Sequence, residues 1–381
     1  MKKQLNCSAL LNWTLCLCVL AVVGCSKDKN PVFPEDQDPE EYDRSVMLNN
    51  YANQYILPAY LAYYNQTITL NNRVDSFITT PSILALQNLR TEWEMNLLIW
   101  QDVAFLEFGP AANISLRAQT NVYPVDTALI KNNISSGVYD LQVASNFDAK
   151  GFQALDFLLN GITASDTATV NYYINTTNAK TYLQDVSSEI ETNASSVYND
   201  WKNSYAASFT ANSASNAQGS SVSNVVNALS QHYEGYIRKG KIGLPVGAFN
   251  GFSQLPMPEH VEAYYANESL PYVYRSLTSL QDFINGKAYM STTNGEGLDD
   301  YMQFVNAQNN GQPLETVINN QFSAIQAALG NINDPLSSEV VNNQSGVEVV
   351  YQKMQMLVPQ IKVEMTNALE VLITYQDSDG D

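Results

Sequence analysis

Apolar residues return every three or four positions along most of this chain, and nowhere in a sustained alternation of two. That spacing builds one apolar stripe per helix and leaves sheets without a face to bury. One stripe runs Ile83, Leu86, Leu89, Trp93, Leu97, Trp100 and Ala104, from a Thr80-Pro81 start signal to a Gly109-Pro110 stop. A second runs Tyr182, Val186, Ile190, Ala194, Val197, Trp201 and Tyr205. A third is Val222, Val226, Leu229, Tyr233 and Tyr236. The last begins at a Ser345–Glu348 capping box and continues Val350, Met354, Leu357, Ile361, Met365, Leu369 and Leu372. Pro359 should kink that helix, and Pro58 the first one, whose stripe includes Val46, Tyr51, Tyr55 and Leu61. The expected fold class is all-α.

The small, polar run from Thr210 to Ser221 follows one long stripe and precedes another, which marks it as a domain boundary. Each half carries enough stripes, joined by short enough loops, for an antiparallel up-and-down bundle, 43–211 and 217–381. A long helix running into a Gly/Pro loop occurs in both halves, at Phe108-Gly109-Pro110 and at Gly243-Leu244-Pro245, a faint internal echo.

The four cysteines, Cys7, Cys16, Cys18 and Cys25, all lie near the start of the 381-residue chain. There, Lys2 and Lys3 precede an apolar run from Leu15 to Val23 and then Gly24-Cys25. Residues 1–24 therefore read as a signal peptide, and Val22-Val23-Gly24-Cys25 resembles the lipobox of bacterial lipoproteins. Cleavage before Cys25 puts a thiol at the new N-terminus for lipid attachment, and two or three acyl chains anchor a protein stably. It leaves one cysteine, so no intramolecular disulfide and no cysteine zinc cluster can form. Residues 25–42, polar and broken by Pro31, Pro34 and Pro39, become a lipidated linker. Ser26 after the cysteine fits outer-membrane sorting, with either leaflet open. Against 38 acidic residues stand 19 basic ones, a net charge of −19, which excludes nucleic acid as a partner.

Several catalytic patterns are missing. With two histidines, His232 and His260, no His-Glu-x-x-His helix can be written, and no Gly-x-Ser-x-Gly elbow occurs. Gly235 to Lys241 imitates a phosphate loop, but Ile242 stands where a Ser or Thr must bind Mg²⁺. It reads as a C-terminal Gly cap with basic residues complementing a helix dipole. His232 borders an apolar stripe and reads as a packing residue; His260, between Glu259 and Glu262, reads as a solvated helix start. Asp377, Asp379 and Asp381 end the chain before a calcium loop could be completed.

Residues 148–161 read Asp-Ala-Lys-Gly-Phe-Gln-Ala-Leu-Asp-Phe-Leu-Leu-Asn-Gly. This resembles the imelysin-like signature, Gly-x-His-x-x-Glu followed by an apolar run: Gly151 matches, Gln153 stands at the His position and Asp156 at the Glu position. Phe108-Gly109-Pro110, Tyr123-Pro124, Lys241 to Pro245, Tyr274-Arg275-Ser276-Leu277 and the Asp379-Gly380-Asp381 end agree with the family as well. The resemblance implies a pseudo-repeat of two bundles with the motif near their interface. It also implies an iron-associated envelope protein in a family named for a peptidase activity.

Positions 153 and 156 share one helix face. A His and a Glu there would offer a nitrogen and a carboxylate to a metal; Gln153 offers a neutral amide, a poor ligand for zinc or ferrous iron and no general base. The motif pair either binds a ligand divergently or only hydrogen-bonds its neighbours. Tyr123, Pro124, Arg275 and Ser276 are the remaining candidates for a shared pocket. Arg275 is expected to pair with Asp156 across the interface or to hold an anionic ligand. No catalytic residue and no cofactor are expected. Iron or another divalent metal stands as a possible ligand, its site unknown, and iron-uptake proteins as possible partners beside the membrane reached through Cys25. Three functions remain open: a non-catalytic binding component of an iron system, a metallopeptidase, or a surface lipoprotein binding glycan or protein, for which the 23 tyrosines could supply stacking.

Overall fold

The long stripes fold as helices. In the computed structural model, which describes residues 41–376, the Leu57–Thr79 helix packs most extensively against Thr177–Asp200 and Ile83–Trp100. In the second half, Leu314–Leu329 packs on Gln344–Pro359, which also meets the His232–Gly243 helix. Leu86, Leu89, Trp93, Leu97 and Trp100 are buried, as are Val186, Ile190, Ala194, Val197 and Trp201. The stripe ends are not: Ile83, Tyr236 and Leu372 face solvent. The only β-structure among the described residues is a two-residue hairpin pairing, Gln308–Asn309 with Gln312–Pro313, plus one isolated bridge. The protein is all-α. No described helix is long and apolar enough to cross a membrane.

Local chemistry sets the helix ends, not always where the pattern placed them. Ser82, not Thr80, caps Ile83–Trp100: its hydroxyl accepts the Ala85 N–H at 3.2 Å, and Pro81 lies before the helix. The expected Ser345–Glu348 capping box does not form, because the helix has already begun at Gln344 behind Asn343. Asp126 Oδ1 accepts two N–H groups, of Ala128 and Leu129, to start Thr127–Ser136, and Gly137 ends it at φ 66°.

Both helix prolines sit beside a π-helical turn, Tyr51–Ile56 before Pro58 and Gln360–Met365 after Pro359. Pro58 has no N–H for the Gln54 carbonyl, which instead accepts the Tyr289 N–H at 2.8 Å. A first-half helix is thereby tied to a second-half loop.

The soft segment between Ala211 and Ser221 is held in the same way. Arg44 donates to the Ser213 and Ala214 carbonyls, both at 3.0 Å, and Asn216 donates to the Tyr301 hydroxyl and the Leu369 carbonyl. The halves 43–211 and 217–381 lie within one compact unit, Tyr42–Asp381, and contribute to one hydrophobic core. The leader, Cys25, nearly all of the linker and the terminal aspartates lie outside the described residues.

Candidate functional site

Gly151 opens the motif helix, Gly151–Asp156, in a conformation only glycine adopts easily. Its φ is 74°, and a Cβ there would lie 2.1 Å from the Thr120 carbonyl oxygen. The close approach sets the helix into the protein interior, where Trp93 Nε1 donates to the Phe152 carbonyl at 3.0 Å. Every residue of this helix is buried.

Gln153 and Asp156 face one loop of the second half. Gln153 Oε1 accepts the Ala263 N–H at 2.9 Å, and its Nε2 donates to Asn121 Oδ1 at 2.9 Å. Asp156 Oδ2 accepts the Tyr265 N–H at 2.8 Å, and Asn160 donates to Oδ1 at 3.0 Å. Burial pushes the Asp156 carboxyl up to about 7, against the pull of Asn160 and of the Tyr265 and Ala266 amides. The pair clamps residues 263–266, a turn in which Ala263 has φ 57°. A neutral amide and a carboxylate already receiving N–H groups form a staple between halves.

The clamped loop carries Glu262, which is 1% exposed. Its Oε1 accepts from Asn121 Nδ2 at 2.7 Å and from Gln101 Nε2 at 3.2 Å, and its Oε2 takes the Lys241 ammonium. Ser276 donates to Gln101 Oε1 at 2.7 Å. Gln153, Asn121, Glu262, Lys241, Gln101 and Ser276 thus form one buried network spanning the halves. Burial pulls the Lys241 ammonium down and the Glu262 charge opposes it. Tyr123 is pushed far up by burial and then by Glu262, which places it at the edge of this network. Pro124, joined to it by a cis peptide bond, is exposed.

Arg275 does not pair with Asp156. Its guanidinium grips Asp102 with two hydrogen bonds of 2.6 Å, and Asp102 also accepts from Ser279 and from Tyr289, the latter at 3.1 Å. The pairing does cross the halves, but to a carboxylate in the turn after Trp100, a closer partner for a guanidinium leaving the Leu270–Ile284 helix. Asp102 is itself fully buried.

The phosphate-loop look-alike proves to be neither loop nor cap. Gly235 to Lys241 lies inside the His232–Gly243 π-helical segment, and Arg238 and Lys241 are buried. His232 is buried as expected of a packing residue, stacked on Tyr236 with ring centroids 5.8 Å apart. Burial, then the charges of Arg117 and Lys241, hold its imidazole well below the usual range. Arg117, 3.9 Å above the Tyr236 ring, extends the cationic side of this interior. His260 ends a short turn, Pro258–His260, 3.8 Å from Glu259.

Asn121, Gln101, Glu262, Asp102 and Arg117 were not legible as site residues; Lys241 stood out in the false phosphate loop and in the stretch resembling the family, not as a partner of Glu262. Among the described residues, no three His, Cys, Asp or Glu side chains gather to hold a metal ion.

The Imelysin family model matches residues 56–363. No curated protein matches the chain. A solved structure from Parabacteroides distasonis, described as that of an iron-regulated protein A precursor, superposes with a TM-score of 0.72 at 18% identity, covering 88% of this chain and 97% of the other. An imelysin-like protein from Psychrobacter arcticum superposes with a TM-score of 0.67 at 17% identity, covering 88% of this chain and 99% of the other. The chain belongs to the imelysin family.

Proposed function

We propose that this member of the imelysin family is a lipid-anchored protein of the cell envelope that acts as a non-catalytic binding component of an iron-associated system. The observation that carries the non-catalytic part is the fate of the motif. Gln153 and Asp156, where a metal-ligating His and Glu could stand, spend their polar atoms on Asn121, Asn160 and the amides of residues 263–266. A metal hydrolase needs about three ligands, an open position and a nearby base, and the motif supplies an amide and one saturated carboxylate. Iron, if bound, would be cargo; the link to iron rests on the Parabacteroides distasonis structure, which is described as that of an iron-regulated protein A precursor.

The anchor is proposed from Cys25 and the leader before it. The halves 43–211 and 217–381 are proposed as two antiparallel bundles related as a pseudo-repeat. Support for this is the packed helix group in each half and the motif's position between them. Incubating pure protein with insulin B chain or casein tests the non-catalytic reading: no specific cleavage is expected. Cleavage abolished by Asp156→Ala would overturn it. Steady protein levels under iron limitation would remove the iron association alone.

A further inference from the structure

Two surface features stand apart from the clamped seam. One is a groove of about 600 Å³ between residues 46–54 and the loop at residues 294–300, whose amides and two carboxylates mix donors with acceptors and select no ligand. The other is the loop that follows the His232–Gly243 helix. Between Lys241 and Glu259 the chain carries no charged residue, and Gly251, Phe252, Ser253, Gln254 and Leu255 at the tip are all exposed. Phe252 is fully exposed, and Leu255 is 64% exposed. Large apolar side chains held together in water mark a contact surface.

The loop holds its tip out by construction. Its neck is tied: the Met257 N–H donates to the Pro245 carbonyl at 2.8 Å, and Gln344 Nε2 donates to the Val246 and Gln254 carbonyls at 3.1 and 3.0 Å. Gly247, at φ 89°, lets the two arms cross, since a Cβ there would lie 2.4 Å from the Leu255 carbonyl oxygen. Within the tip, Asn250 Nδ2 donates to the Leu255 carbonyl at 3.0 Å, and Ser253 Oγ donates to the Asn250 carbonyl at 2.8 Å. Phe249 folds back onto Tyr351, with ring centroids 5.9 Å apart. One loop thus packs one phenylalanine and presents the other.

We propose that Phe252 and Leu255 insert into the interfacial layer of a lipid bilayer, giving the body a second membrane contact; this rests on the lipid anchor at Cys25 as the first. A stable protein interface takes about 20–30 residues a side, and the exposed tip has five, Gly251 to Leu255. A bilayer needs no complementary surface, only apolar side chains and backbone groups that already have partners. The lack of charge matters, because a protein of net charge −19 is repelled by anionic lipid over most of its surface. Two side chains alone bind a membrane weakly; a tether makes that contact effective by raising its local concentration. The tether is long enough. Gln344, bonded to the loop, begins the helical run Gln344–Ala368, about 37 Å long at 1.5 Å per residue. Just past its far end, Asn216 joins the Leu369 carbonyl to Tyr301, on which Tyr42 stacks. Residues 25–41, extended, reach about 55 Å.

The test uses the processed protein in vesicles of phosphatidylethanolamine and phosphatidylglycerol with brominated acyl chains, and Phe252→Trp as reporter. Trp93, Trp100 and Trp201 are buried and give a constant background. Blue-shifted emission is expected, with bromine quenching at least threefold stronger than for Ile174→Trp, an exposed position on another helix. Adding Leu255→Asp, which spares the loop's backbone bonds, should lower the quenching to the Ile174→Trp level, since a carboxylate would have to enter the interface. Equal quenching of the two reporters, or none at Phe252→Trp, overturns the proposal. So does a blue shift that grows with protein concentration without lipid, which makes a second copy the occupant. Failure of the protein to float with the vesicles refutes the anchor alone. The loop is then read, with the same outcomes, on protein held to them by a C-terminal hexahistidine tag and a nickel-chelating lipid.

Discussion

The seam around the motif and the groove at residues 49–53 and 294–300 are built from similar side chains, amides and carboxylates, and put them to opposite uses. In the seam, Gln153 and Asp156 are buried and partnered within the protein, and Glu262 meets a buried ammonium. In the groove, Glu296 and Asp300 line open space, and one oxygen of each accepts a hydrogen bond from the protein. A polar group buried without a partner costs roughly 1–3 kcal/mol, which the seam avoids by completing the bonds of Gln153 and Asp156 within the protein. What looks like a motif in sequence can therefore be scaffold.

The contrast breaks most sharply at Glu262. Glu262→Ala strands the Lys241 ammonium, 3% exposed, without its carboxylate. Removing one partner of a buried ion pair costs about 3–5 kcal/mol. Urea unfolding should register a midpoint shift of that size. Glu262→Ala/Lys241→Met should recover much of it. A loss below about 1 kcal/mol would mean that Lys241 finds water or another acceptor, and that the seam is as open as the groove.

Gln153→Leu comes next. It removes the acceptor of the Ala263 N–H and the donor to Asn121, a loss of about 1–3 kcal/mol. Hydrogen exchange at residues 263–266 sharpens the reading. Faster exchange confined to that turn identifies the side chain as a clamp, whereas uniform acceleration would make it one packing residue among many.

The stripes announced the helices because burial follows the helical period, and Trp93, Trp201 and Met354 are buried where the period puts them. Helix starts were less legible. Thr80 and Ser82 are both capping residues, and backbone geometry chose the second. The seam was half legible. Gly151, Gln153 and Asp156 stood out as a group, but their partners in the 263–266 turn lie about 110 positions away and carry no pattern of their own. Arg275 was expected to pair with Asp156 or an anionic ligand and pairs with Asp102 instead, and nothing local distinguishes the two carboxylates as its partner. The groove left no sequence signal, because its lining joins residues 46–54 to residues 294–300 with nothing local to pair them.

The smallest effect should have the opposite sign, and it lies in the groove. Asp300 crowds its neighbour Asp299, whose carboxyl stands at about 7 through burial first and Asp300's charge second. A carboxyl raised in the folded state binds more protons there than in the unfolded chain. Its contribution is therefore present at low pH and is lost as pH rises from about 4 through about 7. Asp300→Asn keeps an oxygen for the Gly297 N–H and removes the like charge. Stability at pH 8 should then rise by about 0.5 kcal/mol, in the range of partly exposed charge pairs, with a flatter decline between pH 4 and pH 7. If Asp300→Asn instead destabilised the protein on the scale of Gln153→Leu, Asp300 would be a structural cap, and the distinction between seam and groove would fail at that residue.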